Sequence, residues 1–487
     1  MALVDTPSTL RSVAQNEERI PMKRSIIAAA AALLLCLSPL PAAAAPPGPR
    51  GDTSEFRGVN WADPRDNYAD DEVVPSGLSV ADDYATTYAR SVPIIAGFRH
   101  EVRANTVRLP INPASVGTPW WRSYRGAIDA AVDAGFKVIL SYWEGDDAKD
   151  GRVDDPDAFD AMWDAVADAY GRNPRVFFEP MNEPFGYSLD EWVDLAADWL
   201  HEHPKVPRKR IIVSGTGYND NVTGVGAAPE LDGTLLSLHF YGFWASHTTE
   251  DEWKANLLPR IGEYGWRTLV SEAGAPMTTG LNYGNHRGDV STSYLGALTE
   301  VARDQGMGVV YWPGLRTGDS YTLTEQAEDG HLEVTNASGL AQLQWGWGLI
   351  KREQLNDLPP APPGEPLVNV AHGVCIDVPG QSTRPGTQLG LWHCNGGSNQ
   401  SFDANAAGEL TVYGDMCVAP LGGAAAGAAL AIADCSGAPD QQWSLNADLT
   451  ISSGADPGLC LASPATEWGL LLAPCDPSAT TQQWTRG

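Results

Sequence analysis

Between residues 56 and 314 short apolar runs alternate with amphipathic stretches, and that alternation limits the fold more than any other feature of the chain. The strand candidates are residues 56–61, 105–111, 137–143, 176–181, 210–215, 235–241, 267–272 and 308–314, eight in all. Helical patterns occupy 123–134, 156–170, 189–202 and 291–305. The stretch 219–232, between the fifth and sixth strands, carries glycines and a proline and supports a helix poorly. Strand–helix alternation implies parallel strands with crossover helices, and eight units predict an α/β fold, a (β/α)8 TIM barrel. An open doubly wound sheet would usually carry a glycine-rich phosphate loop after an early strand, and none is evident.

The run VFFEPMNEPF, residues 176–185, places Asn182 and Glu183 just beyond a buried strand. The run RTLVSEAG, 267–274, places Glu272 at the exit of another. Strand exits are where such barrels carry catalytic acids. Two glutamates on two strand ends meet the need of a retaining glycosidase, whose carboxyl groups stand about 5–5.5 Å apart. Glu179, four residues before Glu183, reads as a structural or supporting group.

Composition narrows the partners. Sixty-one acidic against 32 basic residues give a formal charge of −29, which repels nucleic acid and anionic membranes and leaves neutral carbohydrate as a compatible ligand. Residues 1–45 read as an upstream extension followed by a secretory signal: Lys23 and Arg24, an apolar core over 26–37, then Ala42 to Ala45. An extracellular protein is expected, with no membrane span, since no other stretch has the length of one. Cys36 lies inside the signal, and the other six cysteines all follow residue 370.

The segments after the signal are a barrel domain over 52–350, a linker over 351–366 containing DLPPAPPGEP, and a small domain over 367–487. The small domain repeats about every 40 residues, its units ending in NQSF, DQQW and TQQW, each with two cysteines. Three such units make a β-trefoil. The repeat favours disulfides Cys375–Cys394, Cys417–Cys435 and Cys460–Cys475.

The barrel segment resembles glycoside hydrolase family five, the cellulase-like barrel glycosidases. That resemblance implies Glu183 as acid/base, Glu272 as nucleophile and Asn182 as a contact to the sugar 2-hydroxyl. It implies that Arg108 orients the nucleophile, that His239 stands near the acid/base, that Tyr241 contacts the nucleophile and that Trp312 forms the platform under the reacting sugar; Arg108, Asn182, His239, Tyr241 and Trp312 are grouped here as substrate-binding. The family's cellulases usually carry Asp-Trp-His at the third strand. Here Ser141, Tyr142 and Trp143 stand there, a departure that weakens a plain cellulose-cleaving assignment. Some bacterial members remove a whole disaccharide such as rutinose from plant flavonoids and also carry a trefoil lectin. Trp120, Trp121, Trp143 and Trp244 are further candidates for subsite lining.

The repeats resemble the ricin-type trefoil lectin, also known as carbohydrate-binding module family thirteen. A sugar site in that family needs an aspartate two after the first cysteine, an aromatic and an Asn-Gln pair. The first repeat keeps Asp377, Trp392, Asn399 and Gln400, with Gly390 where a glutamine is common. The second and third have Ala419 and Ala462 at the aspartate and Ala433 and Ala473 at the aromatic, so one working site is expected.

The expected protein is a monomeric, secreted, retaining β-glycosidase acting on β-linked glucan-type polysaccharide or oligosaccharide and guided to it by a lectin. No cofactor and no metal are expected. The alternatives are a diglycosidase and, from another class, a non-catalytic carbohydrate-binding protein.

Overall fold

The computed structural model describes residues 52–279, 281–284, 289–327, 330–356, 364–394, 397–405, 407–413, 416–464 and 469–486. The expected extension and signal lie outside the described residues, as does the middle of the expected linker, 357–363.

Eight parallel strands form the first architecture: β1 (Arg57–Trp61), β2 (Thr106–Ile111), β3 (Lys137–Tyr142), β4 (Val176–Glu179), β5 (Ile212–Ser214), β6 (Leu235–His239), β7 (Thr268–Glu272) and β8 (Gly308–Leu315). They run in the order β4-β3-β2-β1-β8-β7-β6-β5. A parallel bridge between Phe178 and Ile211 brings the two outer strands together, giving a nearly closed barrel. β2 is buried at every position, as expected of parallel strands covered on both faces.

The crossover helices are α1 (Tyr84–His100), α2 (Pro113–Gly117), α3 (Trp120–Asp133), α4 (Pro156–Tyr170), α5 (Leu189–Glu202), α6 (Thr223–Ala227), α7 (Glu250–Ile261) and α8 (Val290–Gln305). Local chemistry fixes their ends. Asp155 caps α4 by accepting from the Ala158 amide, with Pro156 in the first turn. Ser188 with Glu191 and Thr249 with Glu252 form reciprocal capping boxes on α5 and α7. Gly306, at φ +67°, closes α8 in the left-handed region. The poorly supported crossover between β5 and β6 contains only the five-residue α6 and a 3-10 turn, Pro229–Leu231.

Beyond β8 come elements that the periodicity did not reveal. β9 (Thr324–Gln326) and β10 (Leu332–Val334) form a hairpin beside the barrel, and α9 (Ala337–Gly346), with Leu340 and Leu343 buried, packs against α8. The expected linker is shorter than 351–366. Glu353–Asn356 is helical with Leu355 buried, and Glu365 already pairs with Phe402 of the second domain.

That domain consists of three four-stranded antiparallel sheets around one apolar core, with Phe402, Trp443 and Trp484 among its residues. Trp443 and Trp484 donate their indole N–H groups to Val418 and Leu461 carbonyls, which anchors successive repeats. The last strand, Trp484–Arg486, pairs with Leu367–Asn369 and joins the ends of the trefoil. The three disulfides are Cys375–Cys394, Cys417–Cys435 and Cys460–Cys475, one per repeat.

Candidate active site

The barrel interior changes character along its axis. Phe56, Ile139, Phe177, Ile212, Leu269 and Val310 form an apolar layer. Side chains alternate along a strand, so the residue two positions on faces the same interior. Ser141, Glu179, Ser214 and Ser271 follow Ile139, Phe177, Ile212 and Leu269 at that offset, and all four are buried. A polar layer therefore lies directly above the apolar one, towards the C-terminal ends of the strands.

Arg108, from β2, organises that layer. Its Nε donates to Glu179 Oε2 at 2.6 Å and its Nη1 to Glu272 Oε1 at 2.5 Å and Asn60 Oδ1 at 3.1 Å. Its Nη2 donates to Ser141 Oγ at 3.0 Å and Asn182 Oδ1 at 2.8 Å. Glu179 also accepts from Ser237 Oγ at 2.7 Å, in keeping with the supporting role read from the sequence.

Glu272 ends β7. Its second oxygen accepts from Tyr241 Oη at 2.8 Å. Burial raises its carboxyl above the ordinary value, opposed by His239, Arg108 and the Tyr241 hydrogen bond. Burial holds the Tyr241 hydroxyl protonated and able to donate.

Glu183 lies past β4 at φ +31°, a left-handed conformation costly for a residue with a side chain, by roughly 1–3 kcal/mol. Its Oε2 accepts from Tyr68 Oη at 3.1 Å, and its Oε1 lies 2.9 Å from His239 Nδ1. Burial pushes its carboxyl up to about 7, against the Tyr68 hydrogen bond and the Arg108 charge. Burial also lowers His239 to about 4, so the ring is neutral. Its Nδ1 lies 2.9 Å from Glu183 Oε1 and 3.5 Å from Glu272 Oε2, within reach of both carboxyl groups, while its Nε2 has no partner among the described residues.

One oxygen of Glu183, one of Glu272 and a His239 nitrogen lie within 4.8 Å of one another. Such a trio has the spacing of a cation site. Here the Glu272 oxygens already accept from Arg108 and Tyr241, so the local charge is balanced by protein donors.

The carboxylates open into a cleft of about 330 Å³ that Tyr68, Trp143, Tyr241, Phe243, Trp312 and Tyr321 also line. Trp143 stacks on Trp312 with centroids 5.5 Å apart, and meets Tyr68 edge-on at 4.9 Å. The departure at the third strand has thus become part of an aromatic wall beside the expected platform.

Several assignments need correction. Arg108 and His239 were grouped with residues that contact substrate, yet they are 1% and 0% exposed. Inward-facing on β2 and β6, they lie beneath the cleft surface and position carboxylates. Trp120 and Trp121 do not line the cleft: Trp120 is buried and donates to the Val73 carbonyl, and Trp121 packs edge-on against Tyr124 and Tyr170. Trp244 packs on Phe240 and Tyr241 behind the cleft. Tyr68, Phe243 and Tyr321 escaped the sequence reading: Tyr68 and Tyr321 sit on irregular segments and Phe243 on a single 3-10 turn, Gly242–Trp244, too short for periodicity to mark which side chains face inward.

The first trefoil repeat holds a second site. Asp377 Oδ2 accepts from Asn399 Nδ2 and Gln400 Nε2, both at 2.8 Å. Trp392, paired with Cys375 on the adjacent strand, is 57% exposed. The register places Ala433 and Ala473 opposite Cys417 and Cys460 in the same way, so both other repeats lack the aromatic. Gln400 was grouped with the sugar-binding residues, but its amide also donates to the His393 carbonyl and it is 1% exposed. Gln441 and Gln482 make the matching bonds to Asp434 and Pro474 carbonyls. A glutamine that bonds alike in repeats without the aspartate is a brace for the fold.

Fold and site together define a (β/α)8 barrel with a pair of carboxylates at the C-terminal ends of its strands, joined to a β-trefoil. Residues 82–315 match the family described as cellulase (glycosyl hydrolase family 5), and residues 364–484 match the ricin-type beta-trefoil lectin domain. The chain carries a glycoside hydrolase family 5 domain and a ricin-type lectin domain. Endoglucanase H of Acetivibrio thermocellus is 30% identical over 96 residues, which are 19% of this chain and 10% of that relative. Similar solved structures include an endocellulase from Pyrococcus horikoshii with cellotetraose, at 16% identity and TM-score 0.44, covering 60% of this chain and 92% of the other. Another is the endo-beta-1,4-glucanase of Xanthomonas axonopodis pv. citri, at 15% identity and TM-score 0.42, covering 60% and 99%.

Proposed function

We propose that this chain is an exported, retaining β-glycosidase acting on β-linked glucan-type oligosaccharides or polysaccharides. The observation that carries the reading is the approach of Glu183 and Glu272 oxygens to within 4.8 Å. An inverting pair stands about 6.5–9.5 Å apart to admit a water between carboxylate and sugar, and a retaining pair about 5–5.5 Å.

Environment assigns the roles. Glu183, raised to about 7 by burial, is the group that can carry a proton to a leaving oxygen near neutrality. Glu272 is also raised by burial, but its direct contacts with the Arg108 guanidinium and the Tyr241 hydroxyl oppose that rise and favour the carboxylate that attack requires. Glu272 forms a bond to the anomeric carbon while the glycosidic C–O bond breaks and Glu183 protonates the departing oxygen. Glu183, now ionised, takes a proton from water, and that water displaces Glu272 with a second inversion. Trp312 offers a stacking face for the sugar bound at the carboxylates, and Asn182, its oxygen held by Arg108, donates its amide to the hydroxyl of cleft-lining Tyr68 at 3.5 Å. In the lectin, Asp377, Trp392 and Asn399 are the proposed sugar contacts.

A disaccharide-releasing action is the second reading. Trp143, stacked on Trp312, fills with an aromatic plane the position where a polar residue would reach the sugar in the family's cellulases.

The test is Glu272→Gly assayed on an activated aryl β-glycoside. Loss of hydrolysis, with azide restoring aryl release, is expected. Persistent hydrolysis, or a loss that azide does not relieve, contradicts the nucleophile assignment. Separately, Asp377→Ala is expected to abolish most carbohydrate binding by Glu272→Gly protein; unchanged binding contradicts the lectin assignment.

A further inference from the structure

The cleft over the carboxylates does not end at the barrel. Phe243 and Tyr321 line it, and both also line a neighbouring cleft of about 620 Å³ whose far side is the first trefoil repeat, with Asp377, Gln381, Trp392 and Asn399. A third recess, of about 190 Å³, has the same two aromatics on one side and Trp392 and Gln381 on the other. The trefoil rests on the barrel here, with Thr278 and Thr383 hydroxyls 3.4 Å apart.

The chemistry along this path is that of sugar binding. Phe243 is 65% exposed and stacks on Tyr241, which holds Glu272, with centroids 4.9 Å apart. Trp392 is 57% exposed at the other end. Both line the one cleft of about 620 Å³, where their open ring faces are placed to stack on sugar rings. Asn399 Oδ1 and Gln381 Oε1 are buried without a partner among the described residues. Buried acceptors without donors are costly, and sugar hydroxyls can supply those donors.

We propose that the first-repeat lectin site and the barrel cleft form one composite site, in which a single oligosaccharide has its scissile bond between Glu183 and Glu272 and a more distant sugar on Trp392 and Asp377. The lectin then acts as a remote subsite of the enzyme and not as an independent anchor to a surface. This rests on the glycosidase reading above. Remote contacts that strengthen in the transition state raise turnover of long substrates selectively.

The experiment first screens the full chain on soluble β-glucans, mannan and flavonoid rutinosides for its best large substrate, alongside aryl β-monoglycosides too short to reach Trp392. The preference, kcat/KM of the large substrate over that of the best short one, is then measured for wild type, Trp392→Ala and Asp377→Asn. A composite site predicts that both variants lower this preference about tenfold, the equivalent of one well-made contact. Dividing by the short substrate removes any general loss of folded protein. A preference that stays at the wild-type value, even if adsorption to insoluble polysaccharide is lost, overturns the composite site and leaves the glycosidase intact. Absence of turnover on every substrate overturns the glycosidase reading and this one with it.

Discussion

Arg108 Nη1 donates to Glu272 Oε1 at 2.5 Å, and the same guanidinium holds Glu179 at 2.6 Å. One buried cation thus serves two buried carboxylates and also fixes Asn182. Removing it leaves negative charge enclosed without compensation, at a cost of about 3–5 kcal/mol. Arg108→Ala is expected to lower unfolding stability by that order in denaturant titration. Arg108→Lys keeps the charge but lacks the planar fork that reaches five acceptors, so it should fold better than the alanine variant and still lose most turnover.

The pH dependence follows from Glu183. Its carboxyl must be protonated to act on the leaving oxygen, and burial holds it at about 7. Turnover on a substrate with a poor leaving group should therefore fall as pH rises through about 7. The Tyr68 hydrogen bond favours the ionised form, so Tyr68→Phe should move this alkaline limb to higher pH. A pH–rate profile of kcat/KM checks the direction. For stability the sign is opposite to that of a salt-bridged acid. The folded chain binds this proton more tightly than the unfolded one between about pH 4.5 and 7, so this group's contribution to stability declines as pH rises across that window.

Tyr241 is the one hydroxyl donor to Glu272 among the described hydrogen bonds. Tyr241→Phe keeps the ring that stacks with Phe243 and removes only that donor. Stabilisation of the charge returning to Glu272 as the intermediate breaks down is lost, and kcat should fall by about 10²-fold. Pre-steady-state kinetics on an aryl β-glycoside locates the deficit.

The trefoil depends on its crosslinks. Cys417–Cys435 closes a loop with a sequence separation of 18. Replacing both cysteines by serine should cost about 3 kcal/mol, read as a lowered calorimetric transition of the full chain.

Much of this molecule was legible before its coordinates. The eight strands announced themselves because a parallel barrel buries both faces of each strand; Glu272 ends one of them, and Glu183 follows shortly after the end of another. The offset of two from Ile139 to Ser141 and from Phe177 to Glu179 was also written in the sequence, as a switch from apolar to polar within one strand. Loop residues were not legible. Tyr68 reaches Glu183 from 115 positions away, and nothing local marks a tyrosine on an irregular segment as inward-facing. Trp120 was misplaced for a related reason: an aromatic near a barrel rim can face the cleft or the helix layer, and only packing decides. The joining of Phe243 and Tyr321 to the trefoil depends on how two domains meet, which no single segment encodes.

The central claim is that Glu183 and Glu272 act by double displacement, and the anomer released first tests it most directly. Proton NMR of the reaction in its first minutes, before mutarotation, should show the β-anomer of the newly freed reducing sugar. Release of the α-anomer first would contradict the account.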